Sequence, residues 1–346
     1  MTNPTLLTRR SAMLMPLAFP IALSACKPGA DILQISGLTM GTTFNITAVN
    51  GAGNVTEEKL RKAVDVALAE VNTQMSNWDE ASEISRFNAQ TGSDIVAMSD
   101  GLSHVMRAAE EVNIASQGRF DTTAGPLIEL WGFGAPGKSA MPSEAAILDA
   151  QARSGHGNTL QLERTGLRKI QSDAQVYLAA IGKGYGADRV GQAIESLGIA
   201  DYMVEIGGDL YAAGTNPDGK PWQIGIETPD ARDRGVLDVI GVSGLGLASS
   251  GDYRNYFEQD GKRFSHVIDP TTGQPITHTT ASATVLEDDA MLADAWATAM
   301  MTLGREKGME IAEANNIAVL FIERDASSAQ MKFDVVKSSR FDTLTS

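Results

Sequence analysis

The apolar β-like runs of this chain come in consecutive groups, and this grouping constrains the fold more than any other feature. The runs 203–206 and 210–213 are close neighbours, and the runs 222–227 and 244–249 follow before the next helical pattern. Strict alternation of strands and helices would instead predict a doubly wound parallel sheet. The grouping therefore predicts an α+β fold, with mixed or antiparallel sheets packed against helices.

Helical spacing of apolar residues predicts five helices between and after these runs. The clearest begins after Thr56, a typical N-cap residue, with Glu57 and Glu58 in its first turn. The others are predicted near 100–116, 143–153, 186–197 and 288–303. Further β-like runs are 42–48, 282–286 and 317–322. Residues 35–346 are numerous enough for a single large domain or two intimately packed subdomains.

The N-terminal segment predicts export and lipid attachment. Two arginines, Arg9 and Arg10, precede the short apolar stretch 12–23, which falls short of the roughly 20 residues that a membrane-spanning helix needs and is typical of a secretory signal. The ending Leu-Ser-Ala-Cys26 resembles a bacterial lipobox. We therefore expect a signal peptide over residues 1–25, a lipid on Cys26, a tether over 26–34 and a periplasmic, membrane-anchored protein. The alternative is a buried helix followed by a chance cysteine.

The charge of the chain excludes some partners. Residues 1–25 contain two arginines and no acidic residue, so the rest of the chain has 26 basic and 43 acidic residues and a formal net charge of −17. Nucleic acid and anionic lipid surfaces would repel such a chain. No later stretch approaches membrane-spanning length, so the lipid would be the only membrane anchor. Cys26 is the only cysteine, which excludes an intrachain disulfide.

The segment 249–276 concentrates polar and aromatic side chains around turns. Its Asp260-Gly261 pair lies between two β-like runs, which is a strong hairpin signal. This clustering predicts a ligand-binding region. His266 alternates with Phe264 and Ile268 and so shares their strand face, which by itself favours a hydrogen-bonded core histidine over a catalytic base.

A glycine-rich segment, 177–187, contains Gly182-Lys-Gly-Tyr-Gly186. Its spacing differs from the GxGxxG of dinucleotide-binding folds, so it is a weak signal for that class. Two interpretations remain open. The turn could hold a phosphate through helix N-terminal amides and Lys183, or it could be a tight strand-to-helix connection.

Asp294 and Thr298 are four residues apart on a predicted helix whose face is otherwise apolar. A carboxylate on a packed face is costly unless it is paired or bound to a metal. Carboxylate, hydroxyl and carbonyl oxygens suit a hard cation such as Mg²⁺. The alternative is that Asp294 only caps a neighbouring loop.

Taken together, these segments resemble the ApbE family of FAD:protein FMN transferases over roughly residues 35–325. The matching motifs follow one another in the order typical of that family. They occupy residues 40–44, 75–79, 82–88, 118–134, 181–184, 205–210, 221–227, 249–276 and 293–298.

The resemblance implies an FAD substrate, a Mg²⁺ cofactor and transfer of FMN to a Thr or Ser hydroxyl of an acceptor protein, with release of AMP. The acceptor would belong to a membrane-bound or periplasmic redox system. The implied metal ligands are Asp294, Thr298 and the backbone carbonyl of Ala180. The implied FAD contacts are Met40, Trp78, Arg119, Phe120, Asp121, Lys183 and the strand around His266.

One position departs from the family pattern. Tyr177 stands where the family usually has a cofactor-contacting aspartate, so the resemblance leaves the binding mode there open. The implied catalytic residues are Asp294, through the metal, and His266, which would accept the hydroxyl proton unless Asp252 or Asp269 does. Three alternatives remain: a Mg²⁺-dependent FAD pyrophosphatase, a non-catalytic FAD-binding lipoprotein and, most distantly, an NAD-dependent oxidoreductase.

Overall fold

The computed structural model describes residues 31–134, 141–230, 235–259, 262–325 and 332–346. The predicted signal peptide and Cys26 lie outside these ranges. The first strand begins at Asp31, so residues 31–34, which we assigned to the tether, are part of the folded domain. A strand needs a partner for its amides and carbonyls, and residues 31–34 find theirs in the neighbouring strand.

The described residues form sixteen strands and nine helices. The strands are β1 (Asp31–Thr39), β2 (Thr42–Asn50), β3 (Leu160–Glu163), β4 (Gly166–Lys169), β5 (Tyr202–Ile206), β6 (Asp209–Ala213), β7 (Trp222–Glu227), β8 (Val236–Val242), β9 (Leu245–Gly251), β10 (Tyr256–Gln259), β11 (Lys262–Ser265), β12 (Ile268–Asp269), β13 (Gln274–Pro275), β14 (Thr280–Glu287), β15 (Ala318–Arg324) and β16 (Phe333–Lys337). The helices are α1 (Glu57–Met75), α2 (Glu83–Ala89), α3 (Asp100–Ala115), α4 (Gly125–Leu130), α5 (Glu144–Ala152), α6 (His156–Thr159), α7 (Gly182–Ser196), α8 (Ala290–Asn315) and α9 (Ser339–Thr345).

An eight-stranded antiparallel sheet forms the centre of the fold, in the order β1-β2-β5-β6-β9-β14-β15-β16. Four two-stranded sheets surround it: β3-β4, β7-β8, β10-β11 and β12-β13. The α+β prediction is therefore confirmed. Among the described residues, no helix combines the length and the apolar character needed to cross a membrane.

Helices cover one face of the large sheet. Helices α1 and α7 pack on β1, β5 and β6, while α8 packs on β9, β14 and β15. Apolar residues of α1, α3, α7 and α8 close the cores on that face. The opposite face is covered by the β7-β8 hairpin and α9. Strand β14 is buried from Thr280 to Leu286, although small polar and apolar residues alternate along most of it. The hydroxyls of Thr280 and Thr284 bond to Glu323 and Ser249, which satisfies them inside the core.

Two predicted helices differ from the structure in ways that matter for the site. Helix α7 begins at Gly182 rather than Gly186, so the glycine-rich segment is the first turn of a helix and the strand-to-helix connection we considered is wrong. Helix α8 extends to Asn315, past a break at Gly304 with φ +70°. The hydroxyl of Thr280 accepts a hydrogen bond from the Arg305 amide there, which caps the second half of the helix.

Candidate functional site

Helices α7 and α8 meet near their N-terminal ends, where their backbones come very close. A Cβ atom built on Gly184 would lie 2.0 Å from the Ala290 carbonyl oxygen, so this approach requires glycine. The Asp188 carboxylate of α7 accepts hydrogen bonds from the amides of Ala290 (2.8 Å) and Met291 (2.9 Å). These bonds satisfy two amides that a helix N-terminus leaves without an internal partner. They fix the start of α8 against α7.

This crossing brings together three charged side chains, Lys183, Asp209 and Asp294, which we call the charged cluster. Lys183 Nζ lies 2.5 Å from Asp209 Oδ2 and 3.2 and 3.3 Å from Asp294 Oδ1 and Oδ2. The carboxylate side chains of Asp209 and Asp294 are only 5% and 6% exposed, whereas Lys183 is 28% exposed. The Gly184 amide also donates to Asp294 Oδ2, at 3.2 Å. Asp294 is therefore held by α7, and our alternative, a cap of a neighbouring loop, is wrong.

The charges of the cluster influence one another strongly because they are buried. Burial by itself would lower the pKa of Lys183, but Asp209 and Asp294 raise it above its ordinary value. The pKa of Asp209 is raised by burial and by Asp294, against the opposing effect of Lys183. Two carboxylates and one ammonium leave a negative excess when all are ionised. This arrangement favours an additional cation.

Sequence reasoning did not single out Asp209 as a site residue. It follows Gly207 and Gly208, which have φ values of +60° and +103° and form a two-residue hairpin between β5 and β6. The hairpin places Asp209 at the first position of a strand that is otherwise apolar. An acidic residue directly after a Gly-Gly hairpin, at the head of a buried strand, is the sequence signal that pointed to it.

Met40 lies in the corresponding turn between β1 and β2. Its φ is +48°, which is unusual for a residue other than glycine. Its side chain packs on α7, because a Cβ atom on Gly186 would lie 2.7 Å from Met40 Cε. The turn therefore places Met40 beside the first turns of the helix that carries Lys183.

The donor set around Asp294 fits a hard cation. Within the described ranges, no group of three or more His, Cys, Asp and Glu side chains could hold a metal. Magnesium sites in phosphoryl-transfer enzymes, however, need only one or two carboxylates besides water and phosphate oxygens. Because the Gly184 amide donates to Asp294, the Ala180 carbonyl lacks that helical partner. Thr298 is half-buried and lies one turn after Asp294.

A second group of predicted residues surrounds the segment that leads into α7. The Asn77 side chain donates to the Val176 carbonyl (2.7 Å) and accepts from the Leu178 amide (3.0 Å). The neighbouring Trp78 side chain is 81% exposed, which leaves its ring free to stack on a ligand. The Tyr177 amide donates to the Thr122 carbonyl at 2.8 Å. These bonds join the Trp78 turn and the 119–123 loop to the start of α7.

Tyr177 fills space that a smaller residue would leave open. A Cβ atom on Gly125 would lie 1.9 Å from the Tyr177 ring, so the ring is stacked directly on the backbone of α4. Its hydroxyl lies 2.8 Å from Glu129 Oε1 and 2.7 Å from Gln175 Oε1. Burial and Glu129 raise the pKa of this hydroxyl. Tyr177 is thus a neutral hydrogen-bonding side chain where the resemblance implies a carboxylate.

The three residues of the 119–121 loop have different surroundings. Arg119 Nε lies 3.2 Å from Asp269 Oδ2, which ties the loop to the β12-β13 turn. Phe120 is buried in the core, so only its backbone could meet a ligand. The Asp121 carboxylate accepts hydrogen bonds from the amide and hydroxyl of Thr123, and burial raises its pKa.

His266 follows β11 and is half-buried. Its Nδ1 lies 3.0 Å from the Asn255 carbonyl oxygen. A carbonyl only accepts, so Nδ1 carries the hydrogen and Nε2 of the neutral ring has a free lone pair. Burial lowers the pKa of His266. The ring also meets Phe133 edge-on, with centroids 6.3 Å apart.

The two carboxylates that we considered as alternative bases are both bound by arginines. Asp252 is buried and pairs with Arg324 and Arg263, and Asp269 pairs with Arg119. The Asp252 pairs attach the β10-β11 hairpin to β15, and the Asp269 pair attaches β12 to the 119–121 loop. Of the three candidate bases, His266 is therefore the one with an available proton acceptor. The adjoining strand β12 packs against α8, the helix that carries Asp294.

Comparison with known proteins identifies the family of the chain. The model of the ApbE family matches residues 40–321. A protein of Vibrio cholerae named FAD:protein FMN transferase is 43% identical, over 89% of this chain and 92% of its own. One of Haemophilus influenzae with the same name is 40% identical, over 96% and 97%. The solved flavin transferase ApbE from Vibrio cholerae superposes with a TM-score of 0.83 at 40% identity, covering 91% of this chain and 99% of that one. The chain is therefore a member of the ApbE family.

Proposed function

We infer that this protein is an enzyme that transfers FMN from FAD to an acceptor protein. The observation that carries this inference is the charged cluster, where buried carboxylates and a lysine meet beside the glycine-rich first turn of α7. Such a site suits a pyrophosphate and a cation, and the full-length relatives at 40–43% identity are named for this reaction. The acceptor would offer a Thr or Ser hydroxyl.

Asp294, Thr298 and the Ala180 carbonyl would hold Mg²⁺. The ion would neutralise negative charge on the phosphoryl oxygens, as divalent cations do in phosphoryl transfer. The protein contributes the rest of the electrostatic setting. Helix α7 directs its positive N-terminal end and the Lys183 ammonium toward the same region, and both favour bound phosphate.

His266 would receive the proton of the acceptor hydroxyl. The hydroxyl oxygen attacks the flavin-side phosphorus, the bond from that phosphorus to the oxygen of AMP breaks, and AMP leaves. The hydroxyl proton passes to Nε2, which is the ring nitrogen left free by the contact of Nδ1 with Asn255. A lowered pKa keeps the imidazole neutral near pH 7, as a base requires.

The exposed residues around the cluster would bind the rest of FAD. Trp78 offers an aromatic face to a ring of the substrate. Arg119, partly exposed beside Asp269, and the Met40 turn complete the contacts that the family resemblance implies. Tyr177, with Glu129 and Gln175 at its hydroxyl, offers polar atoms where the usual aspartate is missing.

Attachment to a membrane through Cys26 and a periplasmic location are part of the proposal. Their support is the N-terminal pattern of two arginines, a short apolar stretch and Leu-Ser-Ala-Cys26. An enzyme anchored in this way could reach acceptor subunits of a membrane-bound redox system. Replacement of Cys26 by Ser should move the protein from the membrane fraction to the soluble fraction.

The deciding experiment incubates the full chain with FAD, Mg²⁺ and a candidate acceptor protein, followed by mass spectrometry. Covalent gain of the FMN mass on a Thr or Ser of the acceptor, with an equal amount of AMP, supports transfer. Free FMN and AMP with no adduct would identify a pyrophosphatase, in which water is the nucleophile. Tight FAD binding without AMP would identify a binding protein, and the Tyr177 departure is the feature that favours this candidate. Comparison of membrane proteins from cells with and without the chain would name the acceptor.

A further inference from the structure

The metal site that we propose is already neutralised by a side chain of the protein. Lys183 Nζ contacts both oxygens of Asp294, at 3.2 and 3.3 Å. A divalent cation bound to Asp294 would lie close to this ammonium in a buried environment, where like charges repel strongly. Lys183 and the metal therefore compete for the same carboxylate.

Asp209 offers the ammonium a second partner at the same place. Its Oδ2 is 2.5 Å from Lys183 Nζ, closer than either oxygen of Asp294. Because both carboxylates contact one nitrogen atom, a small rotation of the lysine side chain can release Asp294 and keep Asp209. The ammonium then stays paired, and no buried carboxylate is left without a cation.

We propose that Lys183 is a built-in counter-cation that occupies Asp294 until the metal binds, and that Asp209 is the positioning residue that receives it. The inference rests on the proposed metal ligand Asp294 and adds a role for Asp209. The exchange keeps the net charge of the cluster near balance in both states. It also retains the Lys183 ammonium beside the site where the pyrophosphate would bind.

A metal titration without FAD tests the charge balance. Mn²⁺ binding to the full chain is followed by electron paramagnetic resonance, with folding checked by circular dichroism. Asp209→Asn retains the shape but gives the ammonium no anionic alternative, so the dissociation constant should rise about tenfold. Lys183→Met removes the competitor, so the dissociation constant should fall by about the same factor. A merely structural ion pair would change the melting temperature and leave both constants at the wild-type value, and that result would overturn the proposal.

Asp294→Asn separates this proposal from the proposed metal site. Loss of Mn²⁺ binding in Asp294→Asn, with wild-type binding in Asp209→Asn and Lys183→Met, would overturn the exchange and leave the metal site standing. Full Mn²⁺ binding in Asp294→Asn would overturn both.

A crystal structure of the Mn²⁺-loaded protein tests the movement itself. The anomalous signal should place the ion on Asp294, with Lys183 Nζ beyond hydrogen-bonding distance of Asp294 and still bonded to Asp209. An ion on Asp294 with the Lys183–Asp294 contact intact would overturn the exchange.

Discussion

The charged cluster and the exposed residues around it are built on opposite principles. Lys183, Asp209 and Asp294 come from two helices and a strand, and their carboxylates are almost inaccessible to solvent. Trp78 and His266 lie in or beside turns, where the Trp78 amide donates to the Ser76 hydroxyl and the His266 ring bonds to the Asn255 carbonyl. The difference teaches that packing fixes the charges that would hold the cation and phosphates, while loops present the groups that would meet the flavin and the acceptor.

Removal of the Asp294 carboxylate should have the largest effect. In Asp294→Ala the metal loses its only proposed carboxylate ligand, so FAD-dependent AMP release should fall by roughly 10³-fold or more, because a metal ion contributes several kcal/mol to such a reaction. AMP release is measured by chromatography. Asp65→Ala, the same change on the exposed face of α1, should retain wild-type turnover. Undiminished AMP release in Asp294→Ala would refute the metal assignment.

Replacement of His266 should reduce the rate less and change its pH dependence. Burial lowers the pKa of His266, so wild-type kcat should stay level above pH 6.5 and decline only below it, as the ring becomes protonated. His266→Gln should lower kcat about 10²-fold and remove this decline, since general-base catalysis contributes at least that factor. His104→Gln, on the exposed face of α3, is the matched control. A pH profile that His266→Gln leaves unchanged would assign the base elsewhere.

Truncation of Trp78 should affect binding alone. Because the ring is almost fully exposed, Trp78→Ala should leave the melting temperature unchanged. Aromatic stacking contributes about 0.5–1.5 kcal/mol, so the KM for FAD should rise roughly 2- to 10-fold with kcat retained. Trp78→Phe should recover most of the affinity, and Val66→Ala, another exposed apolar side chain, should change neither parameter. A lower kcat at unchanged KM would argue against stacking on the substrate.

The pH dependence of the free energy of unfolding tests the contact of Asp188 with the start of α8, beside the charged cluster. Its pKa is raised to about 7 mainly by burial, and also by Asp289 and Asp294. The unfolded chain loses this proton near the ordinary value of 3.8, whereas the folded chain keeps it up to about 7. This group's contribution to the free energy of unfolding therefore falls as pH rises through that window, by up to ~1.4 kcal/mol per pH unit.

Asp188→Asn cannot titrate, so its free energy of unfolding relative to wild type should increase from pH 4.5 to pH 7. Urea unfolding at several pH values measures this difference. Asp65→Asn, on the exposed face of α1, should follow the wild-type curve. Parallel curves for Asp188→Asn and wild type would mean that Asp188 is ionised in the folded protein throughout.

Helices could be predicted from the sequence where the spacing of apolar residues is enough to define them. The helical spacing of apolar residues after Thr56 predicted α1, and Leu60, Val64 and Leu68, which follow that spacing, are all buried. The helix at Asp294 was also expected, and so was the placement of Asp294 and Thr298 on one of its faces. The start of α7 was not, because three glycines in five residues argue against a helix by propensity. The helix nevertheless needs glycine at positions 184 and 186, because α8 and Met40 approach it too closely for a Cβ atom.

The sequence alone determined the α+β class, the family resemblance and the residue types of the site, because these depend on periodicity and on short motifs with fixed spacing. Only the tertiary structure decided which charges meet. Asp209 lies 26 residues from Lys183, and Asp294 lies 111 residues from it, so nothing local relates them. They come together for two reasons. A Gly-Gly hairpin places Asp209 next to the Lys183 ammonium, and the close crossing of α7 and α8 at Gly184 brings Asp294 to the same ammonium.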